Sequence, residues 1–214
     1  MPRLLELCSG TGSVGRAFAA RGWDVVSVDC DPCANASICC DLLQLTAEQC
    51  LARGPVDFLW ASPPCTFYSI ARTRGPPADL EAADRLVQKC LDLAAELGVG
   101  FIMENPWTGK LKSRPVVAGI PMRVVDYCMY GAPYRKRTAL WTNTGFTPAR
   151  PLCMYTCGSS DPVARRHMER AQRGSWAGAG ERRSQGLRTL YALPPELCAE
   201  IAAFAAGTGV PGVP

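Results

Sequence analysis

The chain has 214 residues, 12 of them cysteine, and a formal net charge of +4, a length that suits one α/β domain with a sizeable core and leaves room for little more. It carries no run of about 18 apolar residues, which excludes a membrane-spanning helix, and no hydrophobic leader precedes the first strand-like run. The cysteines therefore read as thiols of an intracellular protein, in a cytoplasm or nucleus, a prokaryote or a virus-infected cell, rather than as a disulfide framework.

Arg3 to Leu7 predicts a strand that starts almost at the N-terminus, followed by a glycine-rich turn and a helix from about Ser13 to Arg21. Asp24 to Val28 predicts a second strand ending in Asp29, and Ala47 to Arg53 a short helix feeding a strand over Val56–Ala61. Alternation of this kind implies an α/β fold with a doubly wound, mostly parallel sheet. A polar loop with Arg72, Arg74, Gly75, Pro76 and Pro77 comes next. From Asp79, an N-cap, apolar residues recur at Leu80, Ala83, Val87, Leu91, Ala94 and Leu97 until Gly98 closes the helix. Val99 to Met103 predicts a further buried strand, and Arg123 to Tyr127 and Thr138 to Thr142 two more. After Asn143, Thr, Pro, Gly, Arg and Ser dominate to about Gly186 without a sustained period, the mark of a small irregular insertion. Leu197, Ile201 and Phe204, with Ala205, then form a helical stripe that packs back on the sheet. The chain so divides into a main domain over 1–142, an insertion over 143–186, a returning helix within 187–206 and a loose tail over 207–214.

Charge follows this division. Residues 1–107 hold 8 Lys/Arg against 13 Asp/Glu, and residues 108–214 hold 15 against 6, which marks the second half as the face for a polyanion.

Chemistry gathers at the strand ends. The run Val56 to Trp60 leads into Ala61-Ser62-Pro63-Pro64-Cys65, so a thiol stands just past a strand with two prolines fixing its direction. The next buried strand ends in Glu104-Asn105-Pro106. A thiolate and a carboxylate on neighbouring strand ends are the pair that pyrimidine alkylation needs. Gly10, Gly12 and Gly15 follow the first strand and open a helix, which lets backbone approach a ligand closely; dinucleotide sites share that pattern.

Four motifs in order, Leu7-Cys8-Ser9-Gly10-Thr11-Gly12-Ser13-Val14-Gly15, Ser62-Pro63-Pro64-Cys65, Met103-Glu104-Asn105-Pro106 and Tyr130-Gly131-Ala132-Pro133-Tyr134-Arg135-Lys136-Arg137, resemble the cofactor loop, Pro-Cys motif, Glu-Asn-Pro motif and basic strand of the cytosine carbon-5 DNA methyltransferase family. The resemblance implies a Rossmann-like class I methyltransferase fold, S-adenosyl-L-methionine as cofactor, a monomer, and DNA as partner, with RNA (a tRNA cytosine) as the alternative. In the family the loop over Cys8, Ser9, Gly10, Thr11, Gly12 and Ser13 holds the methionine part of the cofactor, and a strand-two acid holds the ribose. Asp29 stands at that position, with Asp31 as a substitute or a helix cap; Asp41 looks like the residue near the adenine, and Cys30 and Pro63 join the cofactor contacts. Cys65 is the implied nucleophile, with a pKa expected to be lowered by nearby arginines or a helix N-terminus. Glu104 is the implied partner of the cytosine ring nitrogen and amine, with a raised pKa.

The chain departs from the family at Arg135-Lys136-Arg137, where a Gln-x-Arg-x-Arg string is usual. Alignment on Gly131 and Pro133 puts Lys136 and Thr138 at the arginine positions, whereas a shift by one supplies Arg135 and Arg137. Side-chain alternation makes the two exclusive on one face, and Arg135 and Arg137 are preferred. Thr66 stands where Gln is frequent, and the family's late Gly-Asn cofactor motif is not recognisable near Leu187–Leu193. Three rivals remain: a tRNA cytosine methyltransferase or a variant transferring another one-carbon group to cytosine; an exocyclic-amine methyltransferase, whose Ser-Pro-Pro turn is followed by an aromatic residue where Cys65 stands; and a non-catalytic nucleic-acid-binding module, against which Cys65 and Glu104 speak.

The insertion carries Cys153-x3-Cys157-x9-His167, three ligands of the type zinc uses, and Cys128 is the candidate fourth. Arg165, Arg166, Arg170, Arg173, Arg182 and Arg183 accompany Trp176 there, a mixture suited to phosphates and stacked bases in a reduced target-recognition segment. Cys8, Cys30, Cys39, Cys40, Cys50, Cys90 and Cys198 sit in apolar or helical contexts and read mostly as small buried hydrophobes.

Overall fold

The computed structural model describes residues 1–70, 78–173 and 183–207. Its central sheet uses β1 (Arg3–Leu7), β2 (Asp24–Asp29), β3 (Ile38–Cys39), β4 (Phe58–Ala61), β5 (Gly100–Pro106), β6 (Met122–Asp126) and β7 (Arg137–Thr142), in the order β3-β2-β1-β4-β5-β7-β6. β1 to β5 pair in parallel, and β7 runs antiparallel to both β5 and β6. Parallel strands are covered on both faces, which is why β1 and β4 are near-continuous apolar runs. Between them lie α1 (Ser13–Ala19) and the short α2 (Ala47–Leu51), the latter opened by a capping box of Thr46 with Gln49.

The longest helix, α3 (Leu80–Leu97), follows its sequence signals closely. Asp79 accepts a hydrogen bond from Ala82 N at 2.8 Å, and Gly98 ends the helix with φ +65°. Ala83, Val87, Cys90, Leu93 and Ala94 pack on one face of the sheet with Leu5, Leu59, Phe101 and Met103. The other face holds Leu4, Phe18, Trp60, Ile102 and Leu140 against α5 (Pro195–Gly207), where Leu197, Ile201 and Ala205 are buried and Phe204 is half-buried. Side chains of one strand go to opposite faces, so Ile102 and Glu104 share the α1/α5 side and Met103 and Asn105 the α3 side.

Residues 143–186 are more regular than their composition suggests. They contain a small hairpin of β8 (Ser160–Asp161) with β9 (Arg166–His167), and a pair of β10 (Glu169–Arg173) with β11 (Arg183–Gln185). Strands of two to five residues are too short to leave a period in the sequence, so no such signal existed. α4 (Leu187–Tyr191) follows, and its Tyr191 reaches the C-terminal edge of the central sheet. The residues of the 71–77 loop that carry Arg72 and Arg74, along with Trp176, Arg182 and the 208–214 tail, lie outside the described residues. No helix among the described residues is long and apolar enough to cross a membrane.

Candidate active site

The C-terminal ends of β1, β2, β4 and β5 open onto one cleft of about 600 Å³, lined at one end by Cys8, Ser9, Gly10, Thr11, Ser13, Asp29, Cys30, Asp31 and Asp41, and at the other by Pro63, Cys65, Thr66, Glu104 and Lys136. Ligand crevices of open α/β sheets sit at this edge. Gly10 and Gly12 take φ +48° and +64°, a left-handed turn that folds the loop back so that Gly12 N donates to Ser9 O at 2.7 Å. Gly12 itself faces a shallower hollow with Arg16 and Asn35 rather than the cleft. Asp29 accepts from Gly10 N at 2.8 Å and Asp31 N at 2.9 Å, and so joins the glycine loop to the end of β2. Asp31 and Asp41 each cap a short 3-10 turn, accepting from Cys33 N and Leu43 N.

At the other end, Ser62-Pro63-Pro64-Cys65 leaves β4 and is tied to β5 by Asn105, whose Nδ2 donates to Pro63 O at 2.8 Å. This one buried bond sets the two motifs against each other. Glu104 is 7 % exposed, and Tyr127 donates its hydroxyl to Glu104 Oε1 at 3.4 Å. Burial raises the Glu104 pKa, with Lys136 and the tyrosine bond opposing, as the sequence led us to expect.

The expectation for Cys65 is not met. Burial first and the Glu104 charge second raise its thiol pKa, and Lys136 only partly offsets them. Among the described residues no arginine contributes, and no helix N-terminus does, because the residues that follow Cys65 form a turn, closed by Tyr68 N donating to Cys65 O, instead of a helix.

The basic strand also takes the other register. Lys136 lines the cleft, its Nζ donating to Leu190 O at 2.8 Å and lying 4.9 Å from the Tyr127 ring. Arg135 and Arg137 point away from it. Arg137 makes a two-point ion pair with Asp126, 2.9 and 2.7 Å, and Arg135 donates to Tyr155 Oη at 3.1 Å. The physical reason is the fully buried Asp126 carboxylate, which requires a cationic partner and finds it in Arg137.

A relative from frog virus 3 (isolate Goorha), named "Probable DNA (cytosine-5)-methyltransferase", is 34 % identical over 222 residues, covering 93 % of this chain and 98 % of its own. The chain belongs to the DNA (cytosine-5)-methyltransferase family. Among solved structures, a prophage-encoded E. coli protein named for DNA modification methyltransfer matches with TM-score 0.51 and 23 % identity over 66 % of this chain and 46 % of its own, a likeness of class I methyltransferase fold. A weaker likeness, TM-score 0.46 and 18 % identity over 71 % of this chain and 53 % of the other, is to Spodoptera frugiperda DNMT2. The chain spans about half the length of these solved structures. No family model matches it.

Beyond the family's motifs, the cleft contains residues that the sequence did not single out. Glu6, in the middle of β1, is 2 % exposed, accepts from Gly15 N at 3.0 Å, and has its pKa pushed up to about 7 by burial. Its signal was one acid inside Leu4-Leu5-Glu6-Leu7. Tyr191 and Leu193 line the side where the late family motif is missing, and Trp60 donates from Nε1 to Ser62 Oγ at 2.9 Å. Cys30 and Cys39 are exposed, against the buried role expected for them, whereas Cys50, Cys90 and Cys198 are buried, Cys8 and Cys40 are half-buried, and all twelve cysteines are thiols. Away from the cleft, Cys128, Cys153, Cys157 and His167 converge with ligand atoms all within 4.8 Å of one another.

Proposed function

We propose that the chain methylates carbon 5 of cytosine in DNA, with S-adenosyl-L-methionine as methyl donor. The observation that carries this is the opening of Cys65, Glu104 and Lys136 onto the same cleft as the glycine loop and Asp29. The cleft's volume lies within the range that encloses a cofactor-sized ligand. Gly10 and Ser9 would face the methionine part, Asp29 or Asp31 the ribose, and Asp41 with Leu42 the adenine. When bound there, the cofactor supplies an electrophilic methyl group.

The protein's own work falls on three side chains. A cytosine inside a duplex keeps its carbon 6 out of a thiolate's reach, so the base must be flipped into the cleft. Cys65 then forms a bond to carbon 6 and pushes electron density to carbon 5, which takes the methyl; loss of the carbon 5 proton and breaking of the sulfur–carbon bond release the product. Glu104, whose pKa burial raises, is the partner of the ring nitrogen and, when protonated, donates to it. Protonation of Glu104 also removes the negative charge that opposes ionisation of Cys65, and Lys136 supplies the cation that favours the thiolate. One charge between the pair is therefore easier to hold than two.

Residues 143–186 serve in this reading as a reduced target-recognition segment, and 187–206 close the cofactor side of the cleft. The Cys128, Cys153, Cys157 and His167 cluster holds one zinc ion: three sulfurs and an imidazole nitrogen form a four-ligand set, and a tetrahedral zinc site places its sulfurs roughly 3.7 Å apart. Incubation with mixed DNA and RNA, with mass spectrometry of nucleosides, tests the reading. 5-Methylcytosine in DNA is expected, with a covalent adduct on 5-fluorocytosine DNA that Cys65→Ala abolishes. Methylation of RNA alone, methylation at the exocyclic amine, or undiminished turnover by Cys65→Ala would overturn it.

A further inference from the structure

The metal cluster and the candidate catalytic carboxylate are neighbours through the chain. Cys128 directly follows Tyr127, which donates to Glu104, and both lie in one 3-10 turn (Tyr127–Tyr130). Tyr127 N donates to Lys136 O at 3.2 Å, so the turn also holds the residue that carries the cleft's cation. Asp126 precedes that turn. Its fully buried carboxylate accepts from Arg137 at both oxygens and from Cys153 N at Oδ2, 2.9 Å, binding β7 and a cluster ligand to one group. Tyr155, inside the Cys153 to Cys157 loop, donates its N–H to Cys153 Sγ at 3.3 Å and receives Arg135 on its hydroxyl.

The stretch from Arg135 to Arg137 is thus gripped on alternate residues. Arg135 and Arg137 are fixed from the cluster side, and the alternation leaves Lys136 lining the cleft with Glu104 and Cys65. The cofactor end is built mainly from β1, β2 and the glycine loop, none of which touches these bonds, and its wall at Tyr191 and Leu193 meets them through the bond from Lys136 Nζ to Leu190 O. Among the described residues, the cluster's own segment has little apolar core beyond Phe146 and Cys153, and β8 and β9 pair through two residues each. Such a segment takes its order from a bound ion more than from apolar burial.

We propose that the ion in this cluster is the organiser of the catalytic end of the cleft: through Asp126, a positioning residue, its occupancy sets Tyr127 and Lys136 against Glu104 and Cys65, so that turnover and not cofactor binding depends on metal. The proposal rests on the cluster holding zinc. It predicts that stripping zinc from the whole protein under reducing conditions lowers kcat at saturating DNA and S-adenosylmethionine by roughly 10- to 100-fold, as loss of an outer support to a site does. Cofactor affinity by calorimetry should stay unchanged, and added zinc should restore turnover. Asp126→Asn should lower kcat while keeping cofactor affinity, and should displace the pH–rate profile, because Tyr127 and Lys136 no longer tune Glu104; Arg137→Lys serves as a milder variant should Asp126→Asn fail to fold. Zinc bound at about one per chain, with kcat unaffected by its removal, overturns the coupling and leaves the zinc reading standing. Protein that binds no zinc overturns both, and cofactor affinity lost in step with turnover overturns the selective role.

Discussion

Lys136 acts on two ionisations at once, since its cation opposes the rise in both the Cys65 and Glu104 pKa values. Lys136→Met should raise both, so that the alkaline rise in turnover that reports the thiolate moves to higher pH and the loss is larger at neutral than at alkaline pH. A kcat profile of unchanged shape would separate Lys136 from the thiol. Glu104→Gln should cost about two to four decades in turnover, the range for removing a positioned proton-transfer group, with DNA affinity little changed. Glu6 gives a prediction about stability. Its carboxyl titrates at about 7 in the fold against an ordinary 4.5, so between those values the folded state keeps a proton that the unfolded chain has released. Stability therefore falls as pH rises through that window, and the loss is complete above the folded value. Glu6→Gln should remove the slope and raise stability at pH 8 relative to pH 5 by about 1–3 kcal/mol, read from urea unfolding at the two pH values. An equal slope in both proteins would mean that Glu6 is not the group.

Two glycines separate what an element needs from what its neighbours need. Gly98 sits at φ +65° with open space around it, so Gly98→Ala should destabilise by about 1–2 kcal/mol through backbone strain alone, without affecting cofactor binding. Gly15 has an ordinary backbone, but a Cβ there would collide with the Glu6 carboxylate and stand 3.0 Å from Val25 Cγ1. Gly15→Ala should push α1 off β1 and β2, costing roughly 1–3 kcal/mol and weakening cofactor affinity with it; calorimetry of both variants distinguishes them. The elements that were legible in the sequence are those whose signals are local. The α3 caps, the apolar runs of β4 and β5 and the stripe of α5 all depend on residues a few positions apart. The register of Arg135 to Arg137 was not legible, because it is decided by Asp126 and Tyr155, 11 and 20 residues from their partners. Tyr191 and Leu193 escaped for a similar reason: they line the cleft by returning from the insertion, and no motif announces a wall built from ordinary side chains.

Across the whole molecule, the excess of cations in the second half is divided by what the cations touch. Arg114, Arg137 and Arg150 are paired with Asp84, Asp126 and Glu196, the last pair at the surface, and their charge is largely offset by those carboxylates. Arg135 and Arg165 instead lie against the Tyr155 ring, 4.8 and 5.6 Å from its centroid, and among the described residues neither has a carboxylate within ion-pair distance. A cation held by an aromatic face keeps its charge available to an outside anion. Arg135 adjoins Lys136 in the chain, and Arg165 lies between the cluster ligands Cys157 and His167, where the backbone flanking a flipped cytosine would pass. Each phosphate neutralised contributes about −0.9 to the slope of log affinity against log salt on duplex DNA. Arg135→Ala and Arg165→Ala should therefore each shrink that slope by about one, and together by about two, while Arg114→Ala leaves it unchanged. Equal slopes for all of these variants, measured by anisotropy on one duplex over a range of salt, would place the phosphate contacts elsewhere on the basic half.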